Sequence, residues 1–190
     1  MKHRIAKLLS RRAAGTAFRG FLAGALGLAT CGIAAAQLST NNQDLKFKGA
    51  IGVIPVTGVA ANGAVNLNVV RGVPPGAPWR ITDLNAVISP DGHIRVVGRG
   101  LLLATGNGIG TNAGQSVHAS LFCGPATTAT EQDTNLAGVA LETDGDFRID
   151  DYLSSVQPTP CISPVLLIRN VGGVWFAAGI PKVETDQDAR

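Results

Sequence analysis

The chain has 190 residues, of which 45% are hydrophobic, 15% charged and 5% aromatic, with 24 glycines, 10 prolines and a formal charge of +3. That length fits one domain, alone or behind a processed segment. The apolar fraction excludes a disordered chain, and glycine without a three-residue period excludes a collagen-like one.

The positive charge sits at the start. Residues 1–36 hold Lys2, Arg4, Lys7, Arg11, Arg12 and Arg19 and no acidic residue. The apolar run Phe21-Leu-Ala-Gly-Ala-Leu-Gly-Leu-Ala-Thr-Cys-Gly-Ile33 follows, and then Ala34-Ala35-Ala36. A basic start, a short apolar stretch and a small-residue site are the layout of a secretory signal peptide, with cleavage expected between Ala36 and Gln37. The glycine-broken run is short of the ~20 residues that span a bilayer. Ser10-Arg11-Arg12 matches a twin-arginine signal only weakly, because Ala13-Ala14 stands where a bulky apolar pair belongs. Leu28-Ala29-Thr30-Cys31 departs from a lipoprotein box at Thr30. A plain cleaved signal is therefore expected, giving a secreted or periplasmic protein with no membrane span in its mature part.

Removing the six leader cations leaves ten against thirteen acidic residues, so the 154-residue mature chain carries −3. Its arginines are scattered among acids, and the basic footprint of nucleic-acid binding is missing. Residues 37–45 read as a flexible polar segment, 46–181 as a single β-domain, and 182–190 as a mobile charged tail.

Within 46–181, apolar residues alternate over short runs separated by Gly, Pro, Asn and Asp, which predicts strands rather than helices. Nine runs are expected, near 47–56, 65–70, 79–88, 93–104, 116–123, 136–142, 146–150, 164–169 and 174–180. Val65-Asn-Leu-Asn-Val69 and Val117-His-Ala-Ser-Leu-Phe-Cys123 alternate cleanly, whereas the denser runs at 165–168 and 175–178 predict strands covered on both faces. Asn62-Gly63, Asp91-Gly92, Asp144-Gly145 and Asn170-Val-Gly-Gly173 predict reversals. Residues 86–96 and 139–149 align around shared Asp, Gly and Arg, which one hairpin grammar explains as well as a duplication. The expected fold is an antiparallel β-sandwich of eight or nine strands, with a small closed β-barrel as the alternative. An outer-membrane barrel fits the length, but seven mature aromatic residues are too few for its girdles.

Cys31 leaves with the leader, so Cys123 and Cys161, 38 positions apart, are expected to form one disulfide in an oxidising compartment. Neither has a Cys or His at metal-ligand spacing, and no metal or cofactor is expected. The glycine-rich stretch 106–114 lacks the following helix of a phosphate loop and reads as a long flexible connection. Asp144, Asp146, Asp150 and Asp151 resemble a cation site less than a solvated strand face with Arg148 as partner. His93 is expected to be exposed in a turn. His118 falls on the polar side of its strand beside Ser116 and Ser120. No nucleophile elbow or zinc-protease pair accompanies these histidines, and no catalytic residue is assigned. Trp79 follows the stiff segment Val73-Pro-Pro-Gly-Ala-Pro, and with Trp175 and Phe176 it is either core or a partner or ligand surface.

Pro-Gly-Ala-Pro-Trp-Arg-Ile-Thr-Asp-Leu at 75–84, Gly-Arg-Gly-Leu-Leu-Leu at 98–103, Leu-Phe-Cys-Gly at 121–124, Asp-Gly-Asp-Phe-Arg-Ile at 144–149 and Cys-Ile-Ser-Pro-Val-Leu-Leu at 161–167 resemble exported bacterial β-domain proteins of unknown function. The resemblance covers about residues 74–181 and implies a secreted β-domain with one disulfide. It carries no activity. The function expected is a non-catalytic binding or structural module with an unknown protein or cell-envelope partner. The alternative is a small-ligand carrier or hydrolase-type enzyme with a pocket built from 105–115, 124–135 and His118.

Overall fold

The computed structural model describes residues 43–182, all of them strand, turn or loop. The expected signal peptide and its Ala36–Gln37 junction lie outside the described residues. At the two ends of this stretch, Leu45 opens the first strand and the Lys182 N–H donates to the Lys46 carbonyl at 2.8 Å.

Thirteen strands form among the described residues. They are β1 (Leu45–Gly52), β2 (Val56–Val59), β3 (Val65–Leu67), β4 (Trp79–Arg80), β5 (Asp83–Ile88), β6 (His93–Arg99), β7 (Leu102–Leu103), β8 (Ser116–Cys123), β9 (Thr130–Asp133), β10 (Val139–Ala140), β11 (Phe147–Tyr152), β12 (Val165–Asn170) and β13 (Trp175–Pro181). Nine of them build one sheet in the order β10-β8-β12-β13-β1-β5-β6-β11, with β9 also paired to β8. The remaining four form two separate pairs, β2–β3 and β4–β7, and every strand pair is antiparallel.

The two ends of the large sheet are neighbours in sequence, since β10 and β11 flank the tight turn at 142–146. The Ser154 N–H donates to the Asp133 carbonyl at 2.8 Å beside that seam, so the sheet curls back towards itself. This all-β, barrel-like arrangement agrees with the expected sandwich or small barrel. Leu84, Ile88, Ile94, Val96, Leu101, Val117, Ala119, Leu121, Leu166, Ile168 and Ala177 have no exposed surface, so apolar side chains fill the core. On β6 the inward set Ile94, Val96, Gly98 alternates with outward Arg95, Val97 and Arg99. Arg148 also lies exposed on β11. A strand facing lipid would carry apolar side chains at those outward positions.

The four predicted reversals share one geometry. In each, the first residue's carbonyl accepts the N–H of a glycine three positions on, and its own N–H reaches the residue after that glycine. Gly63, Gly92, Gly145 and Gly173 hold φ between 81° and 88°, a left-handed backbone that glycine adopts without a Cβ penalty. Asn62, Asp91 and Asp144 each accept the backbone N–H two residues on. The alignment of 86–96 with 139–149 therefore matches one turn used twice.

Three expected runs are each split in two. Residues 53–55 separate β1 from β2, residues 81–82 separate β4 from β5, and residues 100–101, with Gly100 at φ 62°, separate β6 from β7. Burial falls out of alternation at such a break, as where Leu101 and Leu102 are both buried between β6 and the end of β7. Thr130–Asp133 forms β9 although its sequence, Thr-Glu-Gln-Asp, has no apolar alternation to announce it.

Candidate functional site

The aromatic candidates for a surface are interior. Trp79, Trp175 and Phe176 are each less than 5% exposed. Trp79 stacks on Phe176 with ring centres 4.2 Å apart, and the Trp175 indole N–H donates to the Asn68 carbonyl at 3.0 Å. The proline-rich 73–78 segment runs over them. Gly76 N–H donates to the Trp175 carbonyl, and a Cβ at Gly76 would come within 2.8 Å of the Phe176 ring. The stiff segment is thus a strap over these rings, and they are not available to a ligand or partner.

Cys123 and Cys161 are joined, with Cα atoms 4.9 Å apart. The four aspartates are divided among local partners. Asp144 caps its turn, Asp146 accepts the Gly100 N–H at 3.0 Å, and Asp151 accepts the Asn135 N–H at 2.8 Å. Asp150 meets His93 Nε2 at 2.7 Å, with Arg95 and Arg148 at 3.4 and 3.8 Å. The hydrogen bond from His93, followed by the charge of Arg95, holds the Asp150 carboxyl below its ordinary range. His93 is less open than its turn position implied, because its ring also packs 4.9 Å from that of Tyr152. The 106–114 stretch is held in place rather than loose. Asn112 Nδ2 donates to the carbonyls of Leu141 and Glu142, and Gly110 N–H donates to Leu103.

The strongest concentration of polar chemistry lies on one face of β8, β9 and β12. Residues opposed across antiparallel strands share a face, and here Ser120 opposes Asp133 while His118 opposes Arg169. Ser120 Oγ donates to Asp133 and accepts from Arg169 Nη1 at 3.1 Å. Arg169 Nη1 also pairs with Glu131 and lies 3.5 Å from Asp133, and Nη2 donates to the Gly173 carbonyl at 3.2 Å. His118 is 2% exposed and Ser120 has no exposed surface. The polar side of the strand that carries His118 and Ser120 is therefore enclosed. Among the described residues neither ring nitrogen of His118 has a hydrogen-bond partner. Burial, and then the Arg169 charge beside it, lower the His118 pKa and keep the ring neutral at pH 7. The group holds a serine, a histidine and an aspartate, but the serine hydroxyl is enclosed and committed to Asp133. His118 makes no bond to it, so no activated nucleophile is formed.

The exposed apolar chemistry is elsewhere, in a segment the sequence reading took as ordinary strands. The 22 residues between Lys48 and Arg71 contain no charged and no aromatic side chain. They end β1 and form the separate β2–β3 hairpin. Its register pairs Val56 with Leu67 and Val59 with Val65, with an irregularity between Val56 and Gly58. Val65 and Leu67, two apart on one strand, share a face, and their partners lie on that face too. The irregularity re-phases β2 so that both of its valines point the same way. Val56, Val59, Val65 and Leu67 are 38%, 66%, 59% and 55% exposed. The face is therefore apolar and open.

The hairpin is attached through its polar positions. Asn68 Nδ2 donates to the Ile54 carbonyl, Asn68 N–H donates to the Pro55 carbonyl, and the Asn68 carbonyl receives the buried Trp175 indole. Val53, 1% exposed, bonds Phe176 and Trp79 through its backbone. The root is pinned to the core while the apolar face remains uncovered among the described residues. The legible signal was the clean alternation at 65–69 combined with the long uncharged run. Alternation alone does not tell which way the apolar side faces.

Surface depressions of about 230, 190 and 220 Å³ are smaller than ordinary ligand pockets of roughly 300–1,000 Å³. The second touches Thr134 and Asn135, but none of the three is lined by His118 or by residues 105–115. No protein-family model matches the chain, and comparison with curated proteins and with solved structures finds no match either.

Proposed function

We propose that this chain is an exported, non-catalytic binding or structural module whose working surface is the apolar face of the β2–β3 hairpin. The observation that carries this reading is the set Val56, Val59, Val65 and Leu67, all on one face and all open, on a hairpin rooted in the core. An isolated two-stranded ribbon is marginal in water, and contiguous exposed apolar surface is uncommon unless something covers it. The leader, the Cys123–Cys161 bridge and the resemblance of residues 74–181 to exported bacterial β-domains support a periplasmic or secreted setting. The enclosed Ser120 hydroxyl, committed to Asp133, favours this reading over a hydrolase that would use it.

The test is photocrosslinking from position 65 in a bacterial host that exports the full chain, with the same probe at Val97 as control. A crosslinked protein product from position 65 only is expected. The exported species is also expected to have the mass of 37–190 less two hydrogens. Absence of any product from position 65, or the same product from Val97, overturns the assigned surface. Retention of the leader overturns the export reading.

A further inference from the structure

Alternation on β5, β6 and β11 turns one set of side chains outward, and register sets them in rows. Asp150 opposes Arg95, which opposes Val87; Tyr152 opposes His93, and Arg148 opposes Val97. Arg148 is thus a diagonal neighbour of both Arg95 and Arg99, a spacing of about 7–8 Å that brings like charges together on one face. Carboxylates answer this only in part. Among the described residues Asp150 is the single acid in ion-pair reach of Arg95 and Arg148, at 3.4 and 3.8 Å, and it also holds His93. It meets Arg95 at Nε, which leaves both Nη groups of that fork without a partner among the described residues. Asp83 opposes Arg99 but accepts from Asn85, and Asp146 accepts the Gly100 N–H, so Arg99 has no ion pair among the described residues.

The histidine beside these arginines is held from several sides. Asp150 engages Nε2 at 2.7 Å, the Tyr152 ring packs 4.9 Å away, and the His93 N–H donates to Asp91. A depression of about 220 Å³ opens there, lined by Asp44, Val87, Ser89, His93 and Arg95. We infer that this depression and the arginines of its face bind a small acid carrying two or three carboxylates. One carboxylate takes the Arg95 Nη fork and the Ser89 hydroxyl, a second takes Arg148, and the carbon chain lies on Val87. Arginine suits this role because its planar fork matches a carboxylate with two parallel bonds. Asp44 opposes an anion in the depression, so recognition depends on the second carboxylate at Arg148. The field selects the size of the ligand. With Lys46 and Lys48 of the adjoining β1, the face carries +2 after its three aspartates, whereas the rest of residues 37–190 carries −5. A long polyanion meets that wider negative field, and a small acid meets only the local positive one. None of these residues belongs to the β2–β3 hairpin.

Titration of tricarballylate into the oxidised exported chain, followed through its backbone amide NMR signals, tests the inference. Saturable shifts at His93, Arg95 and Arg148 are expected, with a Kd of about 1 mM. Arg95→Gln weakens binding about tenfold, and Arg95→Lys does not restore it, because a point charge lacks the fork. Arg80→Gln, an exposed arginine of β4, leaves binding unchanged. Far-ultraviolet circular dichroism and the urea midpoint establish that the variants are folded. Shifts that fail to saturate by about 20 mM, or binding that survives Arg95→Gln, overturn the inference. Sulfate that binds as tightly at matched ionic strength makes this a site for an adventitious ion only and overturns it too. Hexaglutamate bound about a hundredfold tighter than tricarballylate, with that gain lost in Arg99→Gln, assigns the face to an acidic polypeptide segment and overturns the small acid.

Discussion

Arg169 organises the buried polar group, and His118 bears the consequence. The guanidinium satisfies Glu131, Asp133, Ser120 and the Gly173 carbonyl. His118 opposes it across β8 and β12 as a neutral ring whose nitrogens have no hydrogen-bond partner among the described residues. Its folded pKa lies below the ordinary 6.5, through burial first and Arg169 second, with Asp133 and Glu131 opposing. The unfolded chain therefore binds the proton more readily. The stability contributed by this group is present above pH 6.5 and is lost as the pH falls towards the folded value. The urea midpoint is expected to drop between pH 7.5 and pH 5.5, and His118→Leu is expected to flatten that slope. The substitution also replaces an unsatisfied buried polar ring with an apolar side chain, a change that is neutral or stabilising. A slope unaltered by His118→Leu would assign the pH dependence to other groups.

Among the elements, the β6–β11 pairing shows how tightly the sheet is fitted. Gly98 stands opposite Phe147, and the Phe147 ring covers the place a side chain would occupy. A Cβ on Gly98 would lie 2.1 Å from Cε1 of that ring. Gly98→Ala is therefore expected to cost about 2 kcal/mol through overpacking, recovered in part by Phe147→Leu in the double variant. Urea unfolding of the two single variants and the double variant measures this. A loss below about 0.5 kcal/mol for Gly98→Ala would mean that the ring turns aside freely. A glycine at this strand position is legible in the sequence as a close approach, but the ring that approaches is 49 positions away and is identified only by register.

For the whole molecule, the Cys123–Cys161 bridge ties the end of β8 to the segment leading into β12. It closes a loop of 38 positions. Closure entropy makes it worth about 4 kcal/mol, because the oxidised unfolded chain has fewer conformations to lose. Replacing both cysteines with alanine, or unfolding in reductant, is expected to lower the unfolding free energy by about that amount and leave the β-rich circular dichroism spectrum unchanged. A loss of that spectrum on reduction would make the bridge a condition of folding. The barrel-like sheet encloses the apolar core, whereas the separate β2–β3 hairpin carries Val56, Val59, Val65 and Leu67 open to solvent.

By itself the sequence determined the strand class, four reversals and the cysteine pair, because period-two alternation, Asn-Gly or Asp-Gly turn chemistry and a lone pair of thiols act over short range or by elimination. The same local signals did not decide where the candidates lie. Trp79, Trp175 and Phe176, read as either core or surface, are core, since the proline strap at 73–78 covers them. His118 and Ser120, on the polar side of their strand, are buried with Arg169. Val65 and Leu67 alternate as in a half-buried strand and are open. Alternation states that two faces of a strand differ, whereas which face meets the core depends on what packs against it, and those contacts come from segments distant in sequence that only the tertiary structure brings together.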